Sequence, residues 1–289
     1  MNKIAVLLLC LSISLGFQSC KSKQNKVDNK LISVSILPQK YFIERIAGDD
    51  FKVNVLIPPG ASPASYEPTP KQMQDMSKSS LYLRIGHIPF EKAWMGKLFE
   101  GNSQIKSIDL SEGIELIRGP ETRHGDHVHE GGIDPHIWSS PKTAMQLVAN
   151  TFKVLVQLAP EKEQLYTANY LKLMSEINIM DKGSETIFSQ MPSKAFMIYH
   201  PALSYIARDY GLTQISIEAD GKAPSPAHMK NIIKLAKTND IKVIFLQKQF
   251  NTENAKTIAK EINAELIQID PLSEDWLTEM NRIMGYLKR

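Results

Sequence analysis

The chain is predicted to fold as two α/β lobes with mainly parallel sheets, joined by a long linker helix and separated by a cleft. Three observations predict this. Short apolar runs alternate with helical stretches of about ten residues, the pattern of parallel sheets built from right-handed crossovers. A helical period from Pro141 towards residue 190 is far longer than a crossover needs. Finally, three strand-like runs each end directly before a side chain that can ligate a metal: residues 195–199 before His200, 265–269 before Asp270, and 81–86 before His87. Open parallel sheets bind ligands just outside the carboxyl ends of their strands, so these tips can converge on one crevice.

In the first lobe, residues 31–37 read as a strand, and 39–47 carry helical periodicity that stops at Gly48. Residues 51–57 form the next strand, halted by Pro58-Pro59-Gly60, and 70–79 a helix opened by Pro70. Residues 81–86 are a strand, 89–100 a helix with Pro89 at its start and Gly101 behind it, and 105–110 a strand. Residues 119–132 break the pattern: His124, His127 and His129 stand among Gly and acidic residues without apolar periodicity, so a mobile surface loop is expected. Met145, Val148, Phe152, Leu155 and Val156 then recur at helical spacing, and after a break near Pro160 the period resumes with Leu165, Tyr166, Tyr170, Leu173, Ile177 and Met180. The second lobe is expected to place strands near 195–199, 213–218, 241–246 and 265–269, with helices near 201–210, 226–238, 252–264 and 274–288. The expected division is a leader at 1–19, a tether at 20–30, a first lobe at 31–142, a linker helix region at 143–190 and a second lobe at 191–289. Both lobes are read as Rossmann-like.

The N-terminus reads as a targeting segment. Lys3 precedes an apolar stretch over residues 4–15, too short to span a bilayer as a mature helix. It runs to Gly16-Phe17-Gln18-Ser19-Cys20, which is similar to a bacterial lipoprotein processing site, although Phe17 and Gln18 depart from the usual Leu and small residue. Lipidation is expected at Cys20. The other cysteine, Cys10, lies inside the leader, so the mature chain has neither an internal disulfide nor a thiolate metal cluster. Lysine-rich residues 21–30 read as a flexible tether. Removing residues 1–19 takes away one charge, Lys3, and lowers the net charge from +3 to +2, which argues for no nucleic-acid partner. At 43% hydrophobic and 22% charged, the composition is that of a soluble globular protein. A membrane-anchored, extracytoplasmic monomer is expected.

Four segments resemble the zinc and manganese solute-binding proteins of ABC transporters. They are Pro58-Pro59-Gly60-Ala61-Ser62-Pro63-Ala64-Ser65-Tyr66-Glu67-Pro68-Thr69-Pro70, Asp134-Pro135-His136-Ile137-Trp138, the stretch from His200-Pro201-Ala202 to Tyr210-Gly211-Leu212, and Asp270-Pro271-Leu272-Ser273. The resemblance covers nearly the whole mature chain. It implies a four-ligand site with two ligands from each lobe, a fairly rigid linker helix and an ABC-transporter permease as partner. Three ligand positions match as His136, His200 and Asp270. The fourth does not: where the family usually carries a histidine, this chain has Ala64. Either water completes the site or another side chain replaces the imidazole. His87 is the best substitute, because the neighbour of its strand is expected to be the one that ends before the altered segment. Glu67 is better suited to a structural role near the lobe interface.

Imidazole ligands with one carboxylate favour Zn²⁺ in a near-tetrahedral site over Mn²⁺. The resemblance agrees, since manganese-type members tend to carry glutamate where this chain has His200. Neutral imidazole and ionised carboxylate are the binding forms, so affinity is expected to fall in acid. His124, His127 and His129 could capture metal for delivery or be a spare solvated loop. The expected function is a lipid-anchored receptor that captures zinc and delivers it to the permease, with no enzymatic activity. The alternatives are a zinc hydrolase using an open three-ligand site, with Glu218 as the one carboxylate worth considering as a base, and a manganese-type binding protein or adhesin.

Overall fold

The computed structural model describes residues 28–288 apart from 101, 103, 120, 121, 125, 126, 130, 131, 219–221, 251 and 252. The leader, Cys20 and the first part of the tether therefore lie outside the described residues. The first lobe runs β1 (Asp28–Val34), α1 (Leu37–Ala47), β2 (Lys52–Val55), α2 (Pro70–Met76), β3 (Ser79–Arg84), α3 (Pro89–Phe99) and β4 (Lys106–Asp109). Proline opens α2 and α3, where its missing N–H costs no helical hydrogen bond, and Thr69 Oγ1 caps α2 by accepting from Gln72 N at 3.3 Å. The four strands pair parallel in the order β2-β1-β3-β4. The strand before the Pro58–Pro70 segment is thus an edge, and β1 separates it from β3. This corrects the expectation that β2 and β3 are neighbours.

Residues 119–132, expected to lack regular structure, hold a short antiparallel hairpin of β5 (Thr122–His124) and β6 (His127–His129), in which His124 pairs with His127. Outside it, Arg118 bridges Ile133 and closes the loop at its base. The linker is two helices, α4 (Pro141–Leu158) and α5 (Glu163–Gln190), separated by a 3₁₀ turn at Pro160–Lys162. They pack on each other through stacked rings of Phe152 and Tyr170, with centroids 4.4 Å apart. Pro160 ends the first helix because it cannot continue the hydrogen-bond ladder.

The second lobe runs β7 (Ala195–Ile198), α6 (Ser204–Tyr210), β8 (Thr213–Ser216), α7 (Pro226–Thr238), β9 (Val243–Gln247), α8 (Glu253–Ile262), β10 (Glu265–Ile269) and α9 (Trp276–Leu287). Its sheet is also parallel, in the order β10-β9-β7-β8. Gly211, at φ +64°, ends α6 in the left-handed conformation. Apolar side chains of the first lobe, both linker helices and one face of the second sheet form a single continuous core, while a second cluster fills the other face of that sheet. The lobes are tied reciprocally: Trp138 Nε1 donates to Pro271 O at 3.0 Å, and Trp276 Nε1 to Trp138 O at 2.8 Å. Both indoles are buried. Among the described residues no helix is long and apolar enough to cross a membrane.

Candidate metal centre

Sheet register builds the site. In the second lobe Ile198 pairs with Ser216 on one side and Phe245 on the other. Two residues further along each chain, His200 is flanked by Glu218 and Gln247. Glu218 Oε1 accepts from His200 Nδ1 at 2.7 Å, and the carboxylate is buried. Gln247 clamps the backbone of the same residue, its Nε2 donating to His200 O at 2.6 Å and its Oε1 accepting from His200 N at 3.3 Å. The imidazole also stacks on Phe250, with ring centroids 5.0 Å apart and planes inclined by 19°.

His136 precedes the 3₁₀ turn Ile137–Ser139 and is held in a similar way. Asp134 Oδ1 accepts both His136 N at 2.9 Å and His136 Nδ1 at 2.8 Å. Burial works to raise the Asp134 carboxyl, but the hydrogen bonds and charge of His136 outweigh it and hold the group below its ordinary range. Carboxylates that receive the Nδ1 protons fix both rings as the tautomer with a bare Nε2. The two Nε2 atoms lie 3.2 Å apart across the cleft. Two lone pairs facing at that distance repel each other unless a proton or a cation lies between them. Two nitrogens at about 2.0–2.1 Å from a tetrahedral zinc would be about 3.3 Å apart, so the pair fits a zinc ion without rearrangement.

Both histidines line a cavity of about 160 Å³ between the lobes. Pro271 and Leu272 line it too, and Asp270 stands beside them at the tip of β10. The carboxylate of Asp270 is turned to Lys248 Nζ at 3.3 Å, with Leu272 N donating to its other oxygen at 3.3 Å. The first lobe contributes Ser62, Pro63, Ala64, Ile88 and Pro89 to the wall. Among the described residues no three His, Cys, Asp or Glu side chains are arranged so that they could hold a metal ion together. Two imidazoles thus meet in the cavity, while the carboxylate of the third candidate, Asp270, is paired with Lys248.

His87 is not brought to the cavity. Its Nε2 lies 3.4 Å from Ser111 Oγ, on the β4 side of its lobe. Burial first, with Lys92, Arg84 and Arg118 adding to it, holds the ring below the ordinary imidazole value against the pull of Asp109. Two physical causes place it there. Strand β3 neighbours β4, so the chain leaving it runs beside Ser111 rather than beside the segment with Ala64. In addition, Ile88 is extended and lines the cavity, and consecutive side chains on extended backbone point opposite ways. Gly86, at φ +101°, makes this turn, and a Cβ there would lie 2.6 Å from Asp109 Oδ1. The side chains of His124, His127 and His129 are outside the described residues, as is Cys20. Glu67 does not line the cavity. Glu218, weighed as a base for hydrolysis, is occupied in orienting His200.

The family described as "Zinc-uptake complex component A periplasmic" matches residues 32–288. Among curated relatives, the zinc-binding lipoprotein AdcA of Streptococcus pneumoniae is 30% identical over 99% of this chain and 58% of its own length. The chain thus spans somewhat over half of that relative. The high-affinity zinc uptake system protein ZnuA of Bacillus subtilis is 27% identical over 94% of this chain and 88% of its own. Among solved structures, a crystal structure of ZnuA superimposes with a TM-score of 0.81 at 34% identity, covering 90% of this chain and 98% of that one. A zinc-bound ZnuA deletion mutant gives a TM-score of 0.80 at 35% identity, over 90% and 97%. With nearly all of the described chain inside that match, and with two carboxylate-oriented imidazoles facing each other in its cleft, the protein belongs to the family of periplasmic zinc-uptake complex A components.

Proposed function

We propose that the chain is an extracytoplasmic solute-binding protein that captures Zn²⁺ between its lobes and hands it to an ABC permease. The observation that carries this reading is the pair of Nε2 atoms 3.2 Å apart, each ring with its Nδ1 bound to a carboxylate. Imidazoles held this way by second carboxylates are the common arrangement of protein zinc sites. His136 and His200 are the first two ligands. Asp270 is the third, released from Lys248 to reach the ion, and because its partner is a single exposed lysine that exchange is cheap. The relatives named for zinc uptake and zinc binding support the choice of metal and of a transport role.

Two further points belong to the same reading. Lipidation at Cys20 would anchor the chain, as the lipoprotein name of AdcA supports, and the net positive tether would lie along an anionic membrane surface. Hydrolysis is disfavoured because, among the described residues, the carboxylates beside the histidines, Glu218 and Asp134, are committed to His200 Nδ1 and His136 Nδ1. Calorimetry on metal-free mature protein tests the reading. One zinc per chain is expected, with stabilisation of about 4 kcal/mol at a thousandfold excess over Kd. Binding only at millimolar zinc, or steady hydrolysis of ester or phosphate substrates lost with His200→Ala, would overturn it.

A further inference from the structure

The first-lobe wall of the cavity carries almost no donor atoms. Pro63, Ala64, Ile88 and Pro89 offer carbon, and the one heteroatom side chain there, Ser62, has its Oγ accepting from Ala64 N at 3.3 Å. Zinc held by His136, His200 and Asp270 would have one tetrahedral position left open, and the first-lobe wall supplies no side chain to fill it. A water molecule needs only about 10–15 Å³, whereas the cavity measures about 160 Å³. That is comparable to an engineered apolar cavity of about 150 Å³ that takes up benzene. Space and apolar lining therefore match a flat ring better than a single water. Phe250, already stacked on His200, offers a further aromatic face. Gln249 lines the same cavity, and its Nε2, though buried, has no acceptor among the described residues. A buried donor without a partner is a costly feature that a bound acceptor would relieve.

We propose that the chain takes up zinc together with a small exogenous imidazole-bearing amino acid. The ring nitrogen of this co-ligand fills the coordination position facing Ala64, and its carboxylate accepts from Gln249 Nε2. This inference rests on the zinc-binding reading above and deepens it: the cargo is a metal–amino-acid complex rather than the bare ion. No bond to carbon forms or breaks. A neutral imidazole nitrogen replaces water on the ion.

The test is calorimetry of zinc binding to the full mature chain at fixed free zinc, in buffer alone, with imidazole and with L-histidine. Cobalt(II) absorption serves as a second readout of coordination. Wild type is expected to bind zinc at least tenfold more tightly with either co-ligand, with one co-ligand per zinc and a changed cobalt spectrum. Ala64→His, at an exposed position that tolerates the larger side chain, should bind zinc tightly alone and lose the response to imidazole. Gln249→Ala should reduce the L-histidine response to that of imidazole. Equal affinity with and without co-ligand in the wild type, or an undiminished response in Ala64→His, would overturn the proposal while leaving zinc capture intact. Failure to bind zinc in every arm would remove both readings.

Discussion

Glu218→Ala probes the site without touching a proposed ligand. Its Oε1 is 2.7 Å from His200 Nδ1, and the side chain is buried at the end of β8. Removing it deletes the acceptor that keeps Nε2 bare and the ring aimed across the cleft. Loss of such an orienting carboxylate weakens metal binding by about 10–100-fold, which is about 1.4–2.7 kcal/mol. It also leaves one ring N–H in a half-buried site without an acceptor, so the metal-free protein should lose about 1 kcal/mol of stability. Glu218→Gln separates geometry from charge, because its carbonyl oxygen can still accept from Nδ1. Its loss should stay at or below about tenfold. The assay is competition for zinc against a fluorescent chelator at constant pH, with the melting temperature of the metal-free protein measured alongside. A Kd for Glu218→Ala within about threefold of wild type would refute the claim that this carboxylate orients His200 for metal.

Two other expectations are independent of that one. His87→Ala should leave zinc affinity within about threefold of wild type, whereas His136→Ala should weaken it by at least 100-fold; a comparable loss in both would restore His87 as a ligand. Glu91 gives a pH dependence of folding. Burial raises its carboxyl from 4.5 to about 7, against hydrogen bonds from Ser35, Ile85 N and Gly86 N. The folded state thus keeps a proton that the unfolded chain releases, so this contribution is full below the unfolded value and is lost as pH rises towards 7. A shift of about 2.5 pH units at 1.36 kcal/mol each gives about 3 kcal/mol. In urea unfolding, the stability of wild type minus that of Glu91→Gln should fall by about this amount between pH 4.5 and 7.5. A difference that does not change with pH would show that Glu91 ionises normally.

The alternation of lobes was readable in the sequence because each strand is bounded by local chemistry: Gly48, Pro58-Pro59-Gly60, Pro89 and Gly211 punctuate runs of the right period. His136, His200 and Asp270 were readable as candidates because they follow such runs or sit in a distinctive motif. Strand order was not. Whether β2 or β1 lies beside β3 depends on which pairs of sheet faces bury together, and nothing in the residues near His87 encodes it. The way His200 is held is not legible in the sequence for a related reason. Glu218 and Gln247 each lie two residues beyond a strand position paired with Ile198, so their meeting with His200 follows from register, and register follows only from strand order. Asp134 was closer to hand, two residues before His136, at a spacing from which a short acidic side chain reaches both the backbone N–H and the ring. The histidine hairpin is hidden in the sequence because Gly and acidic residues mask a pairing of three residues a side.

The exchanged hydrogen bonds of Trp138 and Trp276, set within one core that runs through both lobes, carry a consequence for how cargo leaves. A clamshell that swings open must break the packing at its hinge, and here that packing belongs to the same apolar body as the lobes themselves. Unloading by wide separation would therefore cost a share of the folding free energy each cycle. If Asp270 is the third ligand, as proposed, the cheaper route would move a few atoms at the mouth: its carboxylate would return to Lys248, one donor would leave the ion, and the grip would loosen while the frame stands still. On that account the receiving transporter need only compete for a carboxylate, not pry a protein apart.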